Sequence, residues 1–240
     1  MLHFFWAFPL FRSVGFTFIR HTDSYMPMGL RFTSSAEFLQ PEQLHAGSYR
    51  LVDTLGFGDL LPFLQNQMGQ SNLITRLYYR FLFLFLFWMI GLVVFQVRSG
   101  MVFWEALGQI GVGVIITFLL IPLHEALHGL VYYLQGARKI HYTANFRKFY
   151  FTAQADQFVV SERGFYWLAF TPFVVIGASS LILGLLFPPL LLPTAAILTL
   201  HSTFCGGDFA LAAYFYRHRG QGLLTYDDVE AKEAYFFLPD

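Results

Sequence analysis

The segment Leu123-His124-Glu125-Ala126-Leu127-His128-Gly129 places three ionisable side chains within five positions. On a helix, positions i and i+4 share a face, so His124 and His128 would offer two imidazoles to one cation. Two imidazoles at that spacing suit a zinc ion. Glu125, beside the first histidine, would then stand as a general base toward water. At this chain's composition of 8 His in 240 residues, the pattern H-E-x-x-H arises by chance about 0.01 times. The bland alternative is a polar helix end whose histidines face lipid headgroups.

A catalytic zinc takes three protein ligands and keeps one position open. The other ionisable candidates in an apolar setting are His201, Cys205 and Asp208, which fall on one helical stripe. His128 precedes Arg138 by ten residues and Asp208 precedes Arg217 by nine. If both segments are helices running the same way, both groups sit roughly 14–15 Å from a basic boundary and can meet. An unpaired Asp at that depth costs several kcal/mol or takes up a proton, whereas a metal keeps it ionised. Asp208 is therefore the expected third ligand; the alternative is a structural carboxylate hydrogen-bonded within a helix bundle. Gly206 and Gly207 before it would allow close helix approach. His201 could hydrogen-bond a ligand, stabilise an oxyanion, act as an extra ligand, or be a packed neutral histidine. Cys205 reads more simply as a small apolar residue.

These residues must be held by apolar elements. The chain is 56% hydrophobic and 12% charged, with 30 Phe and a mean hydropathy of +0.52, against about 25% charged residues in an ordinary soluble domain. Disorder is excluded, zero net charge offers no bulk field for nucleic acid, and a single cysteine forms no internal disulfide. A bilayer is the natural solvent. Four apolar stretches, residues 81–97, 101–135, 165–186 and 193–216, are the expected spans. The second is long enough to tilt or to be jointed at Pro122. Of 15 Lys and Arg, only Arg98 falls in a loop on the far side. The positive-inside rule then places both termini in the cytoplasm of a multi-pass cell-membrane protein.

Residues 1–10 are apolar but too short to span, and they lack the basic start and cleavage site of a signal peptide; Met26 and Met28 would also serve as starts. Residues 36–80 read as short amphipathic helices broken at Pro41 and Gly56-Phe57-Gly58. In residues 139–160, Ile140-His141-Tyr142-Thr143 and Phe149-Tyr150-Phe151-Thr152 flank Asn145 and suggest a hairpin. The expected architecture is thus an all-α membrane protein with about four transmembrane helices and a small β-hairpin between helices two and three. Residues 1–75 would form a cytosolic extension, 76–220 the membrane domain and 221–240 a cytosolic tail.

Pro122 through Gly129, the hairpin-like segment, Thr171-Pro172-Phe173 and Gly207-Asp208 together resemble the putative zincin peptidases. These are small bacterial membrane proteins grouped as a domain of unknown function and similar to the site-2 protease clan. The resemblance covers roughly residues 50–220. It implies His124, His128 and Asp208 as zinc ligands, Glu125 as base, and residues 139–160 as a hairpin that holds an extended substrate by strand addition. The chain departs from site-2 proteases in three ways. Asp208 is followed by Phe209 rather than completing L-D-G, His201 stands where an Asn is common, and no PDZ domain is present.

The expected activity is zinc-dependent hydrolysis of a peptide or transmembrane segment at the bilayer, with one zinc per chain and no nucleic-acid partner. Two other classes share the composition: a non-catalytic zincin-like membrane scaffold, and a small metal or proton transporter. Glu125 between the histidines favours hydrolysis, since neither alternative requires it. Four spans without an inverted repeat leave little room for alternating access. The oligomeric state is not legible in the sequence.

Overall fold

A computed structural model describes residues 15–17, 39–145 and 150–240; the apolar opening at residues 1–10 lies outside them. Helix dominates. After two short helices, α1 (Pro41–Ala46) and α2 (Leu60–Gly69), comes α3 (Leu73–Arg98), which is 26 residues long. It begins eight residues before the expected span. Charge at Arg76 and Arg80 does not end it; a cap does. The Asn72 side chain accepts from Thr75 N–H at 3.0 Å, and Thr75 Oγ1 accepts from Asn72 N–H at 2.9 Å.

The second expected span is jointed. α4 (Phe103–Leu119) and α5 (Ile121–Gln135) meet at a bend of 40°. Pro122 falls in the first turn of α5, where its missing N–H leaves no helical bond unmade. Gly136, at φ 112°, closes α5 in the left-handed region that favours glycine. α6 (Glu162–Leu186) starts from Ser161, whose side chain accepts from Gly164 N–H. The last expected span is also broken: α7 (Leu191–Phe204) and α8 (Gly206–Arg217) are bent by 48° at Cys205. Among the described residues two helices are long and apolar enough to cross a membrane, and up to four spans result if each bent pair is one.

α7 packs against α3, α4 and α6. Its face is small: Ala195 and Ala196 are buried, and Gly113 of α4 lies so close to the Pro193 carbonyl and Ala196 that a Cβ there has no room. The outward faces carry exposed Phe83, Leu84, Phe87, Phe95, Leu119 and Leu185. So broad an apolar surface suits lipid, where it needs no covering.

Among the described residues seven strands join the helices, where one small hairpin beside an otherwise all-α fold was expected. β1 (Gly15–Thr17), β3 (Ile140–Asn145) and β4 (Tyr150–Ala155) form an antiparallel sheet in the order β1-β3-β4. The β3–β4 connection at residues 146–149 lies outside the described residues. A second sheet has the order β2-β7-β6-β5, built from β2 (Tyr49–Gly56), β5 (Val160–Ser161), β6 (Leu224–Asp228) and β7 (Glu233–Pro239). β2 falls where amphipathic helices were expected. Its burial scarcely alternates and its partner is distant in sequence, with Tyr49 opposite Pro239, so no local period announces it. This sheet draws on three segments, one before α3, one between α5 and α6, and one after α8. It therefore ties together the ends of those helices.

The core runs from the helices into this sheet. Phe215 of α8 is fully buried, stacked on Phe165 of α6 at 4.0 Å and edge-on to Phe236 of β7. Where the sheets approach, Asp156 bridges to Asp227 of β6, and the Asp156 carboxylate accepts from Val229 N–H at 3.1 Å. Burial, and then the charge of Asp156, push the Asp227 carboxyl from 3.8 up to about 7. The folded state thus binds this proton more tightly than the unfolded chain does. Stability in detergent is expected to be greatest below the unfolded value and to fall as pH rises to about 7. Asp227→Asn should flatten the thermal-unfolding midpoint over that window; an unchanged slope would assign it to other groups.

Candidate metal centre

Both helix breaks lie at one place. His124 and His128 stand one turn apart on α5, just past the 40° bend. Asp208 occupies the first turn of α8, just past the break at Cys205. Nε2 of His124 is 3.0 Å from Nε2 of His128. Asp208 spans both, with Oδ2 3.3 Å from His124 Nε2 and Oδ1 3.3 Å from His128 Nε2. Both histidines are buried. The three groups expected from spacing and depth are therefore brought together, one donor atom from each within 4.8 Å of the others.

Proton positions test whether the group suits a metal. His128 Nδ1 lies 3.0 Å from the Leu168 carbonyl of α6. A carbonyl only accepts, so Nδ1 carries the proton and Nε2 presents a lone pair. His124 Nδ1 is engaged by His201, at 3.1 Å from its Nε2. With both Nδ1 atoms engaged, the two Nε2 atoms face each other beside a carboxylate whose Oδ2 accepts no hydrogen bond. A cation resolves that arrangement. Two imidazole nitrogens and one carboxylate oxygen form a donor set suited to zinc.

Glu125 stands beside the three groups. The Ala153 N–H of β4 faces its carboxylate, while Oε2 is buried without a hydrogen-bond partner. Together with His124, His128 and Asp208 it lines a cavity of about 410 Å³ whose other walls include Phe57, Leu60, Leu64, Phe158 and Leu211. Gly129 keeps β3 close: the Tyr142 hydroxyl occupies the space a side chain there would need. Gly206 and Gly207 serve the same end on α8, with Tyr78 and Leu64 packed over them. His201 joins the cluster through His124 and lies 3.8 Å from the Cys205 sulfur. His124, His201 and Cys205 form a second group within metal-binding reach.

Sequence reasoning missed the Leu168 carbonyl and the walls supplied by α2 and β6. Leu168 did leave a signal. Its carbonyl would bond the N–H of the residue four positions on, which is Pro172 and has none. The proline inside α6 thus leaves that carbonyl open to His128. The walls from α2 and β6 come from segments far from the motif and carry no chemical signature.

Elemental analysis of the detergent-purified protein should find about one zinc per chain, with His124→Ala, His128→Ala and Asp208→Ala each losing it. Full zinc in Asp208→Ala would move the third ligand elsewhere.

Residues 117–221 match the family model described as "Putative zincin peptidase". No curated protein and no solved structure matches the chain. The matched segment runs from the last turn of α4 to just beyond α8 and contains Glu125 and every donor named above. Over that segment the chain is similar to the putative zincin peptidase family.

Proposed function

We propose that the protein is an intramembrane zinc metallopeptidase of the site-2 protease type, hydrolysing peptide bonds of membrane-associated substrates. The observation that carries this is the buried, unpartnered Oε2 of Glu125 beside the His124–His128–Asp208 group, with all four side chains lining one cavity. A scaffold has no use for an unsatisfied carboxylate there; a general base awaiting water does.

His124, His128 and Asp208 hold the ion. When bound, zinc supplies a Lewis acid for the scissile carbonyl and acidifies water. Glu125 takes the proton of the attacking water and passes it to the leaving amine. The Ala153 N–H orients that carboxylate. In an antiparallel pair a residue's N–H and C=O point to the same side. The Ala153 carbonyl therefore also points away from β3, along the side of β4 that lines the cavity. An extended substrate segment would add there, as a strand beside β4. The apolar walls favour large hydrophobic side chains in that segment.

The shared sheet supports a four-span topology. β2, β5 and β6–β7 pair with one another, so the segments before α3, between α5 and α6, and after α8 lie on one side of the bilayer. An even number of crossings separates them, as two spans in each interval provide. Arg76, Arg80, Arg138, Lys139, Arg163, Arg217 and Arg219 gather on that side, against Arg98 on the other. The positive-inside rule makes it the cytoplasmic side, with both termini there.

Glu125→Gln should keep zinc and lose about 10²–10⁴-fold in cleavage of hydrophobic single-span reporter peptides reconstituted in vesicles. Wild-type rates in that variant would refute the base assignment. A zinc-loaded wild type that cuts none of a broad reporter panel would favour the non-catalytic scaffold.

A further inference from the structure

The two imidazoles of the centre are held by different devices. A histidine that offers Nε2 to a metal keeps its proton on Nδ1 and needs an acceptor there. For His128 the acceptor is the Leu168 carbonyl. For His124 it is another imidazole, with His201 Nε2 at 3.1 Å and the ring planes inclined by 65°. A neutral imidazole accepts through one nitrogen and donates through the other. If His201 Nε2 accepts from His124, the proton of His201 sits on Nδ1. The Cys205 sulfur lies 3.8 Å from that nitrogen and equally far from Nε2. Both side chains are buried, His201 in the last turn of α7 and Cys205 at the break that follows it.

We infer that His201 is a positioning residue: it accepts the Nδ1–H of His124, locks that ring with Nε2 toward the metal, and is backed by Cys205 as a weak acceptor. The inference rests on the zinc assignment proposed above. It separates the roles that spacing alone left open. With Nε2 engaged by His124 and Nδ1 set against Cys205, His201 has no donor left for a substrate oxygen, so it is not an oxyanion-stabilising group. Nor is it a ligand. His201 lines the cavity, but its Nε2 is spent on Nδ1 of His124, whereas Asp208 stands beside Nε2 of His124, and Cys205 lies outside the cavity lining. The cysteine's place at the α7–α8 break follows from the same contact. It sets the last turn carrying His201 in register with the first turn carrying Asp208.

Cobalt(II) binding by the full-length protein in detergent tests this without reference to activity. His201→Leu should weaken metal affinity about 10–100-fold. His201→Gln, whose amide oxygen accepts at similar reach, should recover most of that loss. The wild-type spectrum should lack a thiolate-to-cobalt charge-transfer band and be unchanged in Cys205→Ser. Circular dichroism checks that each variant keeps its helices. Wild-type affinity in His201→Leu, a Gln variant no better than Leu, or a thiolate band abolished in Cys205→Ser would each overturn the positioning role while leaving the metal centre in place. A wild type that binds no metal would instead remove the zinc assignment itself, and this inference with it.

Discussion

Two imidazoles and a carboxylate facing one another inside an apolar bundle form the constraint on which the rest of the structure depends. Left alone, such a cluster is costly, because neither lipid nor protein interior solvates a carboxylate and two opposed lone pairs. The backbone is arranged around it. Two apolar stretches that could have been continuous helices are each broken at the level of the cluster, by 40° beside His124 and by 48° before Asp208. Both breaks bring a helix N-terminus to the site, where the dipole favours the Asp208 anion. On the proposed reading, a zinc ion would supply the charge that balances the group.

The breaks are tolerable because other elements brace them. α7 lies among three helices at close range, with Gly113 and the alanines of α7 removing side chains that would hold α4 away. Below the site, the β2-β7-β6-β5 sheet ties together the ends of α3, α6 and α8. β3 is fixed against α5 by the fit of Tyr142 over Gly129, and its partner β4, with Ala153 opposite Tyr142, delivers the Ala153 N–H to Glu125. The cavity is then closed by residues from α2 and β6, neither of which lies in the matched family segment. The chemistry is built by the segment at residues 117–221, while much of the cavity wall comes from flanking chain.

How much was legible in the sequence follows from the range of each interaction. His124, Glu125 and His128 share one helical turn, so spacing alone grouped them. Asp208 is distant in sequence, yet its count of residues to Arg217, matched by that of His128 to Arg138, put it at the level of the histidines, beside which it lies. The joint near Pro122 was legible for the same local reason that proline marks a first turn. The second sheet was not. β2 carries no alternation of its own and exists because β7, at the far end of the chain, pairs with it. α3 starts eight residues before its uncharged apolar stretch because an Asn72 cap, which carries no hydropathy signal, sets its first turn. The role of Leu168 was written only indirectly, in the proline four residues later.

The most direct test of the central claim is the zinc K-edge X-ray absorption spectrum of the zinc-loaded protein in detergent. Ligation by His124, His128 and Asp208 predicts a nitrogen and oxygen shell at about 2.0–2.2 Å, with multiple scattering from two imidazoles and no sulfur shell. A sulfur shell near about 2.3 Å would contradict it and shift the centre to the His124–His201–Cys205 group.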